Sequence, residues 1–177
     1  MRRALTALYD VAAWLAAACV AAIFVLMIGQ SIGRELGWRV GGINDIVSWL
    51  TAAAAFLAMA HAFKHGDFVR VTLLLEALSP ARRRAFEVAS LAIATLAIGY
   101  LAFWAARFTW ESRQFGDMAG GMVVIPIWIP QLAFVVGALL FWIAVIDELL
   151  IALGGGKPTY QRLVEERHAR GDFTEDI

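Results

Sequence analysis

The chain has 177 residues, of which 61% are hydrophobic and 17% charged, and its mean hydropathy is +0.70. Soluble domains run at about 45–50% apolar and about 25% charged, so this composition excludes an ordinary globule and indicates a polytopic membrane protein. Lys+Arg and Asp+Glu balance at 15 each, which leaves no basic footprint for nucleic acid; the single cysteine, Cys19, excludes an intrachain disulfide.

The N-terminus reads Met1-Arg2-Arg3 before an apolar run, as a secretory signal would, and Ala16-Ala17-Ala18-Cys19 approaches a lipoprotein cleavage site. The strongly apolar VAAIFVLMIG continues directly after Cys19, where a lipoprotein needs a polar tether. An uncleaved first span over about 11–33 is therefore expected. Three more apolar runs follow, giving predicted spans over about 43–63, 86–106 and 122–147. About 20 residues rising 1.5 Å each cross a hydrocarbon core of roughly 30 Å, so four is the natural count. The predicted fold is an all-α membrane protein of four transmembrane helices.

Lys and Arg set the orientation. The N-terminal segment, the second connection and the tail together hold 11 of them, and the first and third connections hold 4. Both termini are expected to be cytoplasmic. In the second connection, Gly66 breaks the helix, and Val71, Leu74, Leu75 and Leu78 then fall on one side of a helical wheel. Eleven residues cannot span, so 68–78 is predicted as an amphipathic helix lying laterally at the cytoplasmic interface. Ser79 and Pro80 suit the N-cap and first position of the third helix. Residues 1–153 thus form the membrane domain and 154–177 a cytoplasmic tail.

The third connection leads into the fourth span through WESRQFGDMAGGMVVIPIWIPQ, residues 110–131. Pro126 and Pro130 cannot both sit inside one regular helix, so an ordered re-entry is expected, with one proline near the helix start. Gly41-Gly42 and Gly120-Gly121 each precede an inbound span.

No span carries Asp, Glu, Lys or Arg near its middle, where such residues mark ion paths and substrate sites. A chain built this way is a partner rather than the engine of coupled transport. A stand-alone small exporter would need an embedded carboxylate. His61 and His65 stand four apart, but with Asp67 they supply too few ligands for a metal site, and a haem anchor would need a histidine on a facing span. No nucleophile triad, phosphate loop or dinucleotide fingerprint occurs, so neither enzyme activity nor a cofactor is expected. Asp45 stands where it could cap the second helix. Ala52 to Ala55, Ala58, Ala60 and Ala62 make that helix small-faced, which suits close packing either within the bundle or against another subunit. Trp38, Trp104, Trp110 and Trp128 lie where belt tryptophans belong.

Four spans with both ends inside, an acidic residue opening the second span, and FKHGDFVRVTLL after it resemble the small permease (DctQ-like) subunit of tripartite ATP-independent periplasmic (TRAP) transporters. Trp110-Glu111, Phe115-Gly116 and IPIWIPQ before the last helix resemble that family's closing pattern. Phe68, Thr72 and Ser48 depart from residues common there, as does the lack of a proline near Val136-Gly137. The resemblance implies a multi-pass protein of the bacterial inner membrane. It would brace a large permease subunit that takes up a solute such as an organic acid, driven by an ion gradient, usually sodium. A periplasmic binding protein would deliver the solute. On this reading the candidate partner contacts are Asp45, Ala54, Ala58, Arg70, Leu74, Glu111, Arg113, Asp117 and Trp128, with the lipid bilayer as the remaining neighbour. The alternative reading is a membrane anchor of a redox complex.

Overall fold

In hydrocarbon every backbone N–H and C=O must find a partner within the protein, so long apolar runs resolve into helices. The computed structural model describes residues 2–38, 41–66, 79–160 and 162–163. Among the described residues four long helices form: α1 (Arg2–Glu35), α2 (Ile43–His65), α3 (Pro80–Phe115) and α4 (Trp128–Leu153). All four are long and apolar enough to cross a membrane. The described residues are all-helical apart from the connections, and successive helices run antiparallel. The starts of α1 and α3 and the ends of α2 and α4 therefore fall at one end of the bundle, called here the terminal end. The end of α1, the start of α2 and the 116–127 loop occupy the far end. The lateral helix expected over 68–78 lies outside the described residues, and Arg70 and Leu74 with it.

The helix bounds differ from the apolar runs for local reasons. α3 has 36 residues. At 1.5 Å each that is about 54 Å, against roughly 30 Å of hydrocarbon, so its charged ends extend beyond the apolar run 88–106. Ser79 takes the N-cap position with extended backbone, and Pro80 enters the first turn. α4 begins at Trp128 rather than at 122. A helix started at 122 would carry Pro126 in its interior, where the ring meets the carbonyl four residues back. Instead Pro126 pairs with Met118 in an isolated antiparallel bridge, and Pro130 stands in the first turn of α4.

The helices pack in the order α1, α2, α4, α3, with α2 and α4 as the central pair. Lipid gives no hydrophobic drive between helices, so close contact rests on small residues and shape. Gly137 of α4 supplies the closest approach: a Cβ there would come within 2.5 Å of the backbone carbon of Phe56 in α2. Around that contact Phe56 meets Phe134 edge-on at 4.1 Å, and Phe63 meets Phe141 at 5.6 Å. The Trp142 indole N–H donates to Thr95 O at 3.0 Å and ties α3 to α4.

The small face of α2 divides in two. Ala53, Ala54, Leu57 and Ala60 are buried within the bundle. Ser48, Thr51, Ala52 and Ala55, spaced 3, 4 and 7 residues from the first, are exposed on another face. The hydroxyls of Ser48 and Thr51 donate to Asn44 O and Val47 O, each at 2.8 Å, so this face asks for no outside hydrogen bond.

Gly137→Ala should therefore push α2 and α4 apart and destabilise the bundle by about 1–3 kcal/mol. Gly120→Ala, with nothing within 4 Å of the added methyl, should be close to neutral. Unfolding in mixed micelles followed by near-ultraviolet circular dichroism measures both; equal effects would contradict the packing described.

Candidate functional site

Two polar constructions fix the ends of α2. At the terminal end the Lys64 ammonium lies between two carboxylates of α4, Asp147 and Glu148. It reaches Glu148 Oε1 at 2.6 Å and hydrogen-bonds Asp147 Oδ2 as well. Lys64 is 12% exposed and Glu148 wholly buried. A buried carboxylate is tolerable only when paired and hydrogen-bonded, and Glu148 meets both conditions. Its second oxygen, Oε2, accepts the Thr159 backbone N–H at 2.7 Å, which folds the segment after α4 back over the bundle.

That returning segment is well packed. Pro158 is fully buried, and Tyr160 is 5% exposed against Phe63 of α2. The Tyr160 hydroxyl donates to Glu87 Oε1 of α3 at 2.8 Å. Arg84 of α3 donates to Leu153 O at 3.3 Å, where a cation meets the negative end of the α4 dipole. On the other flank, His61 Nδ1 stands 3.2 Å from Asp10 Oδ1 of α1, an ion pair when the imidazole is protonated. All four helices and the start of the tail thus meet around Lys64 and Glu148.

At the far end Asp45 does the fastening. It occupies the first turn of α2, but it is not the cap expected from sequence: Gly42 holds the N-cap position and no side chain caps it. Asp45 Oδ2 instead accepts the backbone N–H groups of Met122 at 2.7 Å and Val123 at 3.2 Å, 77 and 78 residues away. One glycine of each pair makes room for this. A Cβ on Gly121 would fall 2.2 Å from Asp45 Oδ2, and one on Gly42 (φ +83) would fall 2.4 Å from Val123 Cγ2. The loop is held internally by Ala119 N–H to Ile125 O (2.8 Å) and Ile127 N–H to Asp117 O (3.0 Å).

The other candidate residues are placed as follows. Ala54 is 9% exposed inside the bundle, and Ala58 packs partly buried against the core, so neither presents a free small face. Arg107 Nε binds Glu111 at 2.8 Å on one face of α3. The Arg113 guanidinium lies over the Trp128 ring at 5.3 Å, a cation–π contact that joins the end of α3 to the start of α4. Asp117 is exposed in the loop. Of the three charged candidates, Glu111 and Arg113 are therefore engaged within the chain. His61 and His65 stack on each other at 4.0 Å and face no histidine from another span, and no cluster among the described residues could hold a metal ion.

Sequence reading missed the Lys64–Asp147–Glu148 triad. The signal was present: Lys64 closes one span and Asp147-Glu148 closes another, both at the terminal end. The Asp45 contacts left no such signal, because their partners are backbone groups.

The family described as "Tripartite ATP-independent periplasmic transporters, DctQ component" matches residues 23–154, about three-quarters of the chain. No individual curated protein matches it.

Two substitutions test the fastenings. Lys64→Met strands a buried carboxylate and should cost about 3–5 kcal/mol in micellar unfolding. Adding Asp147→Asn and Glu148→Gln should recover most of that, since the amide still accepts the Thr159 N–H. Asp45→Ala should speed hydrogen exchange at Met122 and Val123 by about ten-fold or more, while Glu111→Gln leaves those amides unchanged. Slow exchange in Asp45→Ala would contradict the clasp.

Proposed function

The chain belongs to the DctQ component family of tripartite ATP-independent periplasmic transporters, and from that premise we propose that it is the small membrane subunit that braces a large permease subunit. The observation that carries this reading, beside the family match, is where the charges lie. Among the described residues every ion pair sits towards an end of the bundle, and the middle of each span has no Asp, Glu, Lys or Arg. Such a bundle offers no relay for a proton or sodium ion across the bilayer. It does offer a defined shape, held at both ends.

In this role the chain lies in the bacterial inner membrane with both termini cytoplasmic, as the distribution of Lys and Arg favours. The far end, with the loop clasped by Asp45, then faces the periplasm. The large subunit carries the solute, an organic acid in the expected case, and the sodium coupling. A periplasmic binding protein delivers the solute. The surface proposed for the large subunit is the exposed small face of α2 formed by Ser48, Thr51, Ala52 and Ala55, together with residues 68–78. Small, self-satisfied side chains allow a partner helix to approach closely. This moves the proposed contact off Ala54 and Ala58, although they lie on the same helix.

Co-expression with the large subunit tests the proposal. Ala52→Leu combined with Ala55→Leu should reduce co-purification of the partner several-fold while the variant still inserts and folds. Ala54→Leu should instead lower the yield of this chain itself, because its site is internal. Full recovery of the partner with the Ala52/Ala55 variant would remove α2 from the interface.

A further inference from the structure

Three consecutive arginines open α3, and the fold treats them differently. Arg84 is turned onto the last carbonyls of α4. Arg82 and Arg83 are exposed, and among the described residues neither makes an ion pair. Glu87, one turn further on, accepts the Tyr160 hydroxyl. The first turn of α3 contains no acidic residue. Two consecutive exposed arginines thus stand where a membrane span begins, with no counter-charge on them among the described residues. Phe86 follows three and four residues later on the same face and is 54% exposed.

We propose that Arg82 and Arg83 hold the headgroup phosphate of an anionic phospholipid, with Phe86 against its acyl chains. Charge complementarity selects the occupant: guanidinium forks match phosphate oxygens in pairs, and anionic lipids bring negative charge to that level of the bilayer. Phe86 extends the patch towards the apolar run 88–106, as a lipid continues from headgroup to chain. An acidic soluble segment would satisfy the arginines and leave the phenyl ring unmatched. Fixing orientation, by contrast, requires positive charge alone and no particular headgroup. The site belongs to the leaflet at the terminal end and holds for either orientation of the bundle.

Electron paramagnetic resonance of spin-labelled lipids on the purified full-length chain in nanodiscs gives the test. The wild-type chain should retain motionally restricted phosphatidylglycerol in preference to phosphatidylcholine. Arg82→Gln with Arg83→Gln should lower that selectivity by about five-fold for each arginine removed. Arg34→Gln at the far end should leave it unchanged. Arg82→Lys with Arg83→Lys keeps the charge needed for insertion and should fall between. The proposal is overturned if the wild type shows no preference, if the double glutamine variant keeps it, or if Arg34→Gln lowers it equally. Displacement of the labelled lipid by millimolar inorganic phosphate would assign the arginines to a soluble anion and overturn it as well.

Discussion

The rest of the structure depends on one buried charge. Glu148 is fully enclosed, and an isolated carboxylate in that position would be intolerable. Lys64 from α2 and the Thr159 amide from the returning chain make it tolerable. The need of one side chain therefore fixes three things: the register of α2 against α4, the path of the chain after Gly154, and the placing of Tyr160 between α2 and α3. In a bilayer this matters more than in water, because apolar contact between helices competes with equally apolar lipid. Register has to come from polar pairing and from close approach at small residues, and α2 and α4 use both.

Asp45 completes the fixation at the opposite end. A carboxylate holding two backbone N–H groups across a long loop is a strong local fastening, since charged hydrogen bonds exceed neutral ones. Gly42 and Gly121 serve that one contact by letting two turns approach within side-chain distance of Asp45. α2 is thus held to α4 through Lys64 at one end and to the entry of α4 through Asp45 at the other. A helix held at both ends and small on its free face is suited to serve as a fixed surface for a neighbour.

Much of this was legible in the residues. The number of spans followed from the lengths of the apolar runs, and the ordered re-entry at Pro126 and Pro130 from the steric rules for proline. The family followed from the order of weak motifs, with IPIWIPQ the most telling. The Gly41-Gly42 and Gly120-Gly121 pairs were visible, but their meeting around Asp45 depends on which loops the packing brings together. For the same reason Asp45 read as a helix cap: its position in the first turn is local information, whereas its partners lie 77 and 78 residues away. From sequence Ala54 and Ala58 could pack either within the bundle or against another subunit, because a helix small on several sides does not reveal which side is used internally. The close approach at Gly137 decides that.

The account stands on the claim that the α2–α4 pair is set by the chain itself. Pulsed electron paramagnetic resonance between spin labels at Val47, which lies outside the face proposed for the partner, and Leu139, in a Cys19→Ala background in nanodiscs, measures it most directly. The account predicts one narrow distance distribution in the isolated chain, unchanged when the large permease subunit is added. A broad distribution that narrows only on addition of the partner would contradict it.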